Sequence, residues 1–397
     1  MKWKPIISAS DKALYLKKID EIASTLDRIK KDLHPKDLGL ISGKTGIMLF
    51  LVYYSTFSQN QAYYDSAIDL LNEIMDELND NFLIHTFGIG HAGFAWTIGH
   101  LAKNNLIDDS PDELVGGIEP LLYKTMKLDL LNRHYDYLHG AIGNGLYFLE
   151  CAEKPQFRSY ISELIDELDR ISIKNSEGEI KWLSLIDFEK KQQGFNIGMS
   201  HGIPGIIAYL SRVIEAGIAT EKASMLLNGA IKYLVNQRLD RGKEKKYISI
   251  FPSSAIESAP PRSSRLAWCY GDPGIGAALW QAKNFSKVKD LDCITLEILS
   301  HSAARRDLQE NVVLDACLCH GTTGLAHIFN RIYQGTGENT FKDASLFWYD
   351  QTLKKAECDE RFFLDPGFLE GIAGIGLALI SAISDMEPKW DRALLLS

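Results

Sequence analysis

No stretch of the 397-residue sequence stays apolar for the roughly 20 residues a membrane-crossing helix needs, so it offers no candidate for a transmembrane span. Cysteine is scarce. Cys151, Cys269, Cys293, Cys317, Cys319 and Cys358 are the whole complement, and they lack the dense spacing of a small disulfide-stapled scaffold. The opening MKWKPIISASDKALYLKK has no long apolar core of the kind a secretory signal carries. Together these absences predict a cytoplasmic protein, in surroundings where free thiols and thiolate metal sites persist. Positive charge is also short: 43 Lys and Arg face 52 Asp and Glu, for a net charge of −9. A general nucleic-acid-binding surface is thereby excluded, because it must neutralise phosphates.

Nucleotide-binding motifs are present only as fragments. SGKTG at 42–46 would need glycine where Leu38 stands, and no strand pattern precedes it. GIGHAG at 88–93 fits Gly-x-Gly-x-x-Gly but lies outside any βαβ pattern. Both belong instead to a recurring element, Gly-x-x-Gly followed by an apolar run. It appears at Gly43–Gly46, Gly90–Gly93, Gly140–Gly143, Gly202–Gly205, Gly271–Gly274, Gly321–Gly324 and Gly371–Gly374. Successive copies are 47, 50, 62, 69, 50 and 50 residues apart. A near-constant period of this size marks a repeat architecture.

Amphipathic helical patterns such as LYLKKIDEIASTLDRI, AIDLLNEIMDEL, YISELIDELDRI and LLNGAIKYLV lie between the copies, with apolar residues at steps of three and four. After each Gly pair the sequence is more uniformly apolar and rich in Ala and Gly, as a buried helix requires. Each repeat therefore predicts an outer helix, a Gly turn and an inner helix. Seven such hairpins, with terminal copies no more polar than the middle ones, predict an all-α protein with a closed α/α toroid. The reading is of one domain over 1–397. The two long steps mark insertions near 174–199 and 238–265, each with a strand-like run, IKWLSLI and YISIF. The basic run Arg238, Arg241, Lys243, Lys245 and Lys246 in the second reads as solvated surface, with steering of an acidic peptide as the alternative.

Chemistry enters at the residues before the first Gly of each copy. Directly before it stand Ser42, Ile89, His139, His201, Tyr270, His320 and Glu370. One step earlier, the fifth and sixth copies carry Cys269 and Cys319. Thiolate and imidazole are preferred ligands of Zn²⁺. Cys269, Cys319 and His320 would supply three protein ligands and leave a fourth position open, the form of a catalytic zinc site. Cys317 is out of this register and reads as a bystander; His139 reads as a packing residue. Cys151, Cys293 and Cys358 read as ordinary core or surface residues.

WCYGDPGIG, CHGTTGL and SHGIPGI resemble the motifs of the LanC family, the lanthionine synthetase cyclases, and the resemblance runs through all seven Gly motifs. It implies a seven-hairpin α/α toroid with zinc at one end. The implied activity joins a peptide cysteine to dehydroalanine or dehydrobutyrine as a lanthionine or methyllanthionine thioether. The family's zinc ligands fall on Cys269, Cys319 and His320, its acid/base histidine on His201, its third-repeat aspartate on Asp136 and its arginine on Arg265. His139 stands where many members have a small residue. The implied substrate is a dehydrated precursor peptide, leader plus core. A dehydratase and a transporter are the implied partners, at which the cytoplasmic enzyme would sit peripherally on the membrane.

Other readings compete. A LanC-like protein that adds glutathione to dehydroamino acids is one; Tyr270, where eukaryotic members of that branch carry His, favours the peptide cyclase. Zinc-dependent prenyltransferases share the α/α barrel and the activated thiol, but need a partner subunit and a diphosphate pocket that the Gly turns do not supply. A peptide-binding scaffold with structural zinc would have no need of an open metal position.

Overall fold

The computed structural model describes residues 2–34, 36–79, 84–108, 110–187, 189–240, 247–256 and 259–397. Among them are fifteen α-helices. In chain order these are α1 (Lys12–Ile29), α2 (Lys44–Ser58), α3 (Gln61–Asn79), α4 (His91–Lys103), α5 (Pro111–Val115), α6 (Glu119–Leu131), α7 (Ala141–Glu150) and α8 (Pro155–Ile171). They continue with α9 (Ile203–Glu215), α10 (Thr220–Val235), α11 (Asp272–Ala282), α12 (Leu291–Ala304), α13 (Thr322–Thr336), α14 (Asn339–Cys358) and α15 (Ile372–Ile383). Five short strands fall between α8 and α11: β1 (Ile173–Lys174), β2 (Ile180–Lys181), β3 (Ser184–Asp187), β4 (Gln192–Asn196) and β5 (Ser254–Ala255). The chain divides into two compact units. One holds Met1–Thr125 and Asp315–Asp391; the other holds Met126–Leu314 and Arg392–Ser397.

The repeat seen in the sequence is the repeat of the fold. Helices α2, α4, α7, α9, α11, α13 and α15 each begin one residue after the first Gly of a copy, and that Gly is the N-cap with extended backbone. Any residue adopts such a backbone; glycine is needed here for room. A Cβ on Gly202 would press on the Asn196 carbonyl, and one on Gly274 on the Trp268 carbonyl. The segment before each helix thus folds back across the helix start. First-turn amides then bond to it: Lys44 N donates to Asp37 O at 2.8 Å, Ala141 N to His134 O at 3.0 Å and Thr322 N to Asp315 O at 3.1 Å. Helix N–H groups that have no intrahelical acceptor are satisfied in this way.

These inner helices are buried on every side; all twelve residues of α15 are buried, as suits a helix that is apolar all round. In the first unit α2 packs on α3, α13 on α14, and α1 on α15. Each inner helix thus finds its main partner in the helix that follows it, except that the first helix covers the last. α1 does so with Tyr15, Ile19, Ile22, Ala23 and Leu26, a spacing that lines one helix face. Each fully buried Leu or Ile stabilises the pair by about 1.5–3 kcal/mol. Lys44, the lysine of the phosphate-loop fragment, is buried in an ion pair with Glu73 at 2.8 Å.

Asp391 closes the first unit. Its side chain is wholly buried and accepts hydrogen bonds from His327 Nε2 at 2.8 Å and Arg331 Nε at 2.6 Å. Burial alone would raise its pKa, but Arg331 and His327 hold it well below the usual carboxylate range. The stabilisation is therefore present above the unfolded carboxylate pKa, near 3.9, and is lost as pH falls toward the folded value. Asp391→Ala removes the buried carboxylate shared by His327 and Arg331, leaving Arg331 to Glu387 and the Pro388 carbonyl, and is expected to cost about 1.5–3 kcal/mol, read as a lower urea midpoint at neutral pH.

In the second unit α7 packs on α8, α9 on α10 and α11 on α12. Both insertions lie here. β1 and β2 pair antiparallel, and β3, β4 and β5 form a three-stranded antiparallel sheet to which both insertions contribute. The expected strand in IKWLSLI is present as β2 and β3, whereas YISIF is not a strand. Its Ile250 and Phe251 amides donate to the buried Asp272 carboxylate at 2.8 and 3.0 Å, which removes them from sheet pairing. Of the basic run, Arg238 pairs with Glu297 at 2.6 Å; Arg241, Lys243, Lys245 and Lys246 lie outside the described residues.

Candidate active site and metal centre

In the second unit, the turns before α9 and α11 are bound to each other through their backbones. The amides of Met199 and Ser200 donate to the Cys269 carbonyl at 2.7 and 3.5 Å. Gly198 permits this approach, because a Cβ there would lie 2.6 Å from that carbonyl. His201 is thereby set beside Tyr270, with ring centroids 6.1 Å apart.

Asp136, in the turn before α7, reaches the same imidazole. Its Oδ1 accepts from the amides of Leu138 at 2.7 Å and His139 at 2.8 Å, which fixes the carboxylate and turns Oδ2 to His201 Nδ1 at 2.5 Å. Burial would lower the His201 pKa, yet the hydrogen bond and charge of Asp136 raise it above the ordinary imidazole value. Burial would raise the Asp136 pKa, yet the bond from His201 lowers it. The pair therefore favours the proton on His201 and the negative charge on Asp136.

Tyr270 and Asn196 complete the surroundings. Asn196, the last residue of β4, donates from Nδ2 to the Tyr270 hydroxyl at 3.0 Å, and its Oδ1 accepts from Gly198 N at 2.9 Å. The first insertion thus ends on the site and orients its phenol. His139 is exposed and stacks on His201 with centroids 5.7 Å apart. That corrects its reading as a packing residue: its ring lies against the acid/base candidate rather than in the core. Arg265 stands six residues before Gly271. Its Nη2 donates to the Val312 carbonyl at 2.5 Å, and its buried Nε has no hydrogen-bond partner among the described residues. No described hydrogen bond ties it to Asp136 or His201, so its guanidinium keeps donor capacity.

The first unit carries Cys319 and His320 directly before α13. Leu318 and Cys319 donate their amides to the Leu369 carbonyl, both at 3.1 Å; Phe368 and Leu369 donate to Ile41 O at 2.9 and 3.0 Å; and Ile41 donates to Gly88 O at 2.8 Å. Gly88, Ile41, Leu369 and Cys319 all stand two residues before the first Gly of a copy, as Cys269 does in the second unit. This position is a backbone junction between neighbouring turns, and the two cysteines occupy it. Next to Cys319, Asp315 Oδ2 lies 3.0 Å from His320 Nε2, and the ligand atoms of Asp315, Cys317 and His320 lie within 4.8 Å of one another. Burial raises the Cys317 pKa, so it stays a thiol more readily than an exposed cysteine. Cys151 is buried, and Cys293 and Cys358 are exposed.

The structure joins His201 to Asp136 and sets the imidazole beside the Cys269 turn, while Arg265 is bonded to the Val312 carbonyl. Asn196 and Asp315 were not singled out by the sequence, and Tyr270 was singled out for its place in the repeat rather than for contact with the acid/base pair. Tyr270 had a signal, since it fills the position that is His139, His201 and His320 in other copies. Asn196 had none, because its role depends on where a strand of the insertion ends.

Comparison with known proteins places these features in a family. The family model described as lanthionine synthetase C-like protein matches residues 34–395. The nisin biosynthesis protein NisC of Lactococcus lactis subsp. lactis is 24% identical over 402 residues, spanning 94% of this chain and 93% of that one. A solved structure of nisin cyclase superposes with a TM-score of 0.77 at 21% identity, covering 96% of this chain and 97% of the other. The likeness extends the helical-hairpin reading to the fold of that cyclase.

Proposed function

The chain belongs to the lanthionine synthetase C-like family, and we propose how it forms lanthionine thioethers: a cysteine of a dehydrated peptide adds to dehydroalanine or dehydrobutyrine at a zinc centre of Cys269, Cys319 and His320, served by His201, Asp136 and Arg265. The two units act in this as one catalytic domain over 1–397. The observation that carries the reading is the half-buried Asp136–His201 pair beside the Cys269 turn. A scaffold has no use for an imidazole whose proton affinity is raised at such a place.

Two thiols and an imidazole are a donor set able to hold a metal ion, and their soft character suits zinc. Zinc, when bound, lowers the pKa of a thiol at its open position so that the thiolate predominates at neutral pH. The residues of the chain manage the rest. His201 in its neutral form takes the proton that the substrate thiol loses, and Asp136, which raises the proton affinity of the imidazole, stabilises the resulting imidazolium. As the C–S bond forms at the β-carbon, charge moves to the neighbouring carbonyl oxygen as an enolate. Arg265, through its guanidinium charge, stabilises that oxygen. His201 then returns its proton to the α-carbon. Atoms balance, because the thiol hydrogen ends on the α-carbon and the product has the mass of the substrate.

The peptide carries a leader and a core, and a dehydratase acting before this enzyme supplies the dehydro residues; a transporter is the partner that removes the product. No helix among the described residues is long and apolar enough to cross a membrane. We place the reaction in the cytoplasm, with membrane association through the partners. The test supplies the zinc-loaded protein with a dehydrated cysteine-containing peptide, then alkylates free thiols and weighs the product. Loss of alkylatable thiol at constant peptide mass is expected. A gain of one glutathione mass when glutathione is present, with no ring formed, would replace cyclisation by glutathione addition. Unchanged thiols would leave the scaffold reading.

A further inference from the structure

Asp315 lies outside the proposed ligand set, yet its side chain is tied into the turn that carries Cys319 and His320. Its Oδ1 accepts from the Cys317 amide at 3.1 Å, its Oδ2 lies 3.0 Å from His320 Nε2, and its backbone carbonyl accepts from Thr322 N, the first residue of α13, at 3.1 Å. A Cβ on Gly321 would collide with Oδ1, so the glycine of this turn keeps space for the carboxylate as well as for the backbone. Cys317 is tied into the same loop, its Sγ accepting from the His320 amide at 3.4 Å.

Asp315, Cys317 and His320 have the proximity of a ligand group of their own, but their hydrogen bonds point to another role. A carboxylate that engages one imidazole nitrogen fixes the tautomer with the proton on that nitrogen. The other nitrogen is then the basic one, and the ring cannot swing. We infer that Asp315 is a positioning residue: it holds Nε2–H of His320 so that Nδ1 is the metal ligand, while Cys317 braces the loop and does not bind metal. This rests on the zinc reading given above, and its tests separate the two.

Zinc affinity is measured by competition with a chromophoric chelator, alongside thermal unfolding of the metal-free chains. Asp315→Asn is expected to weaken zinc binding by about 10–100-fold, with Asp315→Glu recovering part of the loss. Metal-free Asp315→Asn, whose amide oxygen can still accept from the Cys317 amide, is expected to change little in unfolding temperature compared with the loss in zinc affinity, whereas a merely structural role would show mainly in the unfolding temperature. Cys317→Ser is expected to bind zinc as wild type does and, loaded with cobalt, to keep the wild-type thiolate charge-transfer band. Imidazole ¹⁵N shifts of zinc-loaded wild-type protein, which need no variant to fold, are expected to show coordination through Nδ1 with a protonated Nε2. Wild-type affinity in Asp315→Asn, coordination through Nε2, or loss of the cobalt thiolate band in Cys317→Ser would each overturn the inference. A wild-type chain that takes up no zinc would instead overturn the metal reading itself.

Discussion

Cys269→Ala is expected to retain the fold and to lose both stoichiometric zinc and peptide cyclisation at neutral pH. Retention of the fold follows from what Cys269 contributes locally. Its carbonyl accepts the Met199 and Ser200 amides, and those bonds survive truncation of the side chain. Trp268 beside it stays anchored through Nε1 to the Leu394 carbonyl at 3.0 Å. Removing one of three proposed ligands should weaken zinc binding by more than the roughly 10–100-fold that follows loss of an outer partner. Without the metal, the substrate thiol must ionise unaided. With a pKa near 8.5 it is only a few per cent thiolate at pH 7. The residual rate of the variant should therefore climb about tenfold per pH unit for as long as His201 stays protonated, so its deficit shrinks over that range. Zinc content by atomic absorption and initial rates of thiol loss across pH 6–9, measured on a chain checked by circular dichroism, test both halves. Full zinc content in Cys269→Ala would remove this cysteine from the ligand set. A large loss of thermal stability with zinc intact would make it a packing residue.

The features legible in the sequence are those encoded by position in the repeat. The Gly pairs stand out because steric crowding at each helix start leaves room for no other residue, and the period follows from them. Register within the repeat then marks Cys269, Cys319 and His320, and it held enough to mark Tyr270 as well. What sequence alone does not expose is contact between residues far apart in the chain. Asp136 and His201 are 65 residues apart, and only the turn before α7, curled by two amides onto Oδ1, aims the other oxygen at the imidazole. YISIF alternates like a strand, yet a buried carboxylate from the WCYGDPGIG motif takes two of its amides. Alternation reports burial of side chains, not the destination of backbone donors. Covering of α15 by α1 was likewise hidden, because an amphipathic stripe shows that a helix has a partner without naming it.

The second large effect concerns the proton. His201→Ala removes the group proposed to carry it from sulfur to carbon, and a positioned acid/base of this kind contributes about 10²–10⁴-fold. A fall of that order in cyclisation rate, with zinc content unchanged, is expected. Asp136→Asn should give a subtler and more specific signature. Asp136 raises the His201 pKa against the opposing effect of burial. A step that needs protonated His201 is active below that pKa and fails as pH rises through it. Asparagine keeps the approximate shape and can still accept the Leu138 and His139 amides, but it no longer offers a negative charge to the imidazolium. The His201 pKa then falls, and the high-pH limb of the rate profile moves to lower pH, while the affinity for zinc stays at the wild-type value. His139, stacked on His201 at 5.7 Å, is a second imidazole at the site, so its resonances are assigned separately. Titration of His201 by ¹³C or ¹⁵N NMR in the two chains gives the shift independently of turnover. A limb that does not move in Asp136→Asn, with a His201 pKa that has fallen, would assign the rate-limiting proton to another group, and Tyr270 would be the next to test.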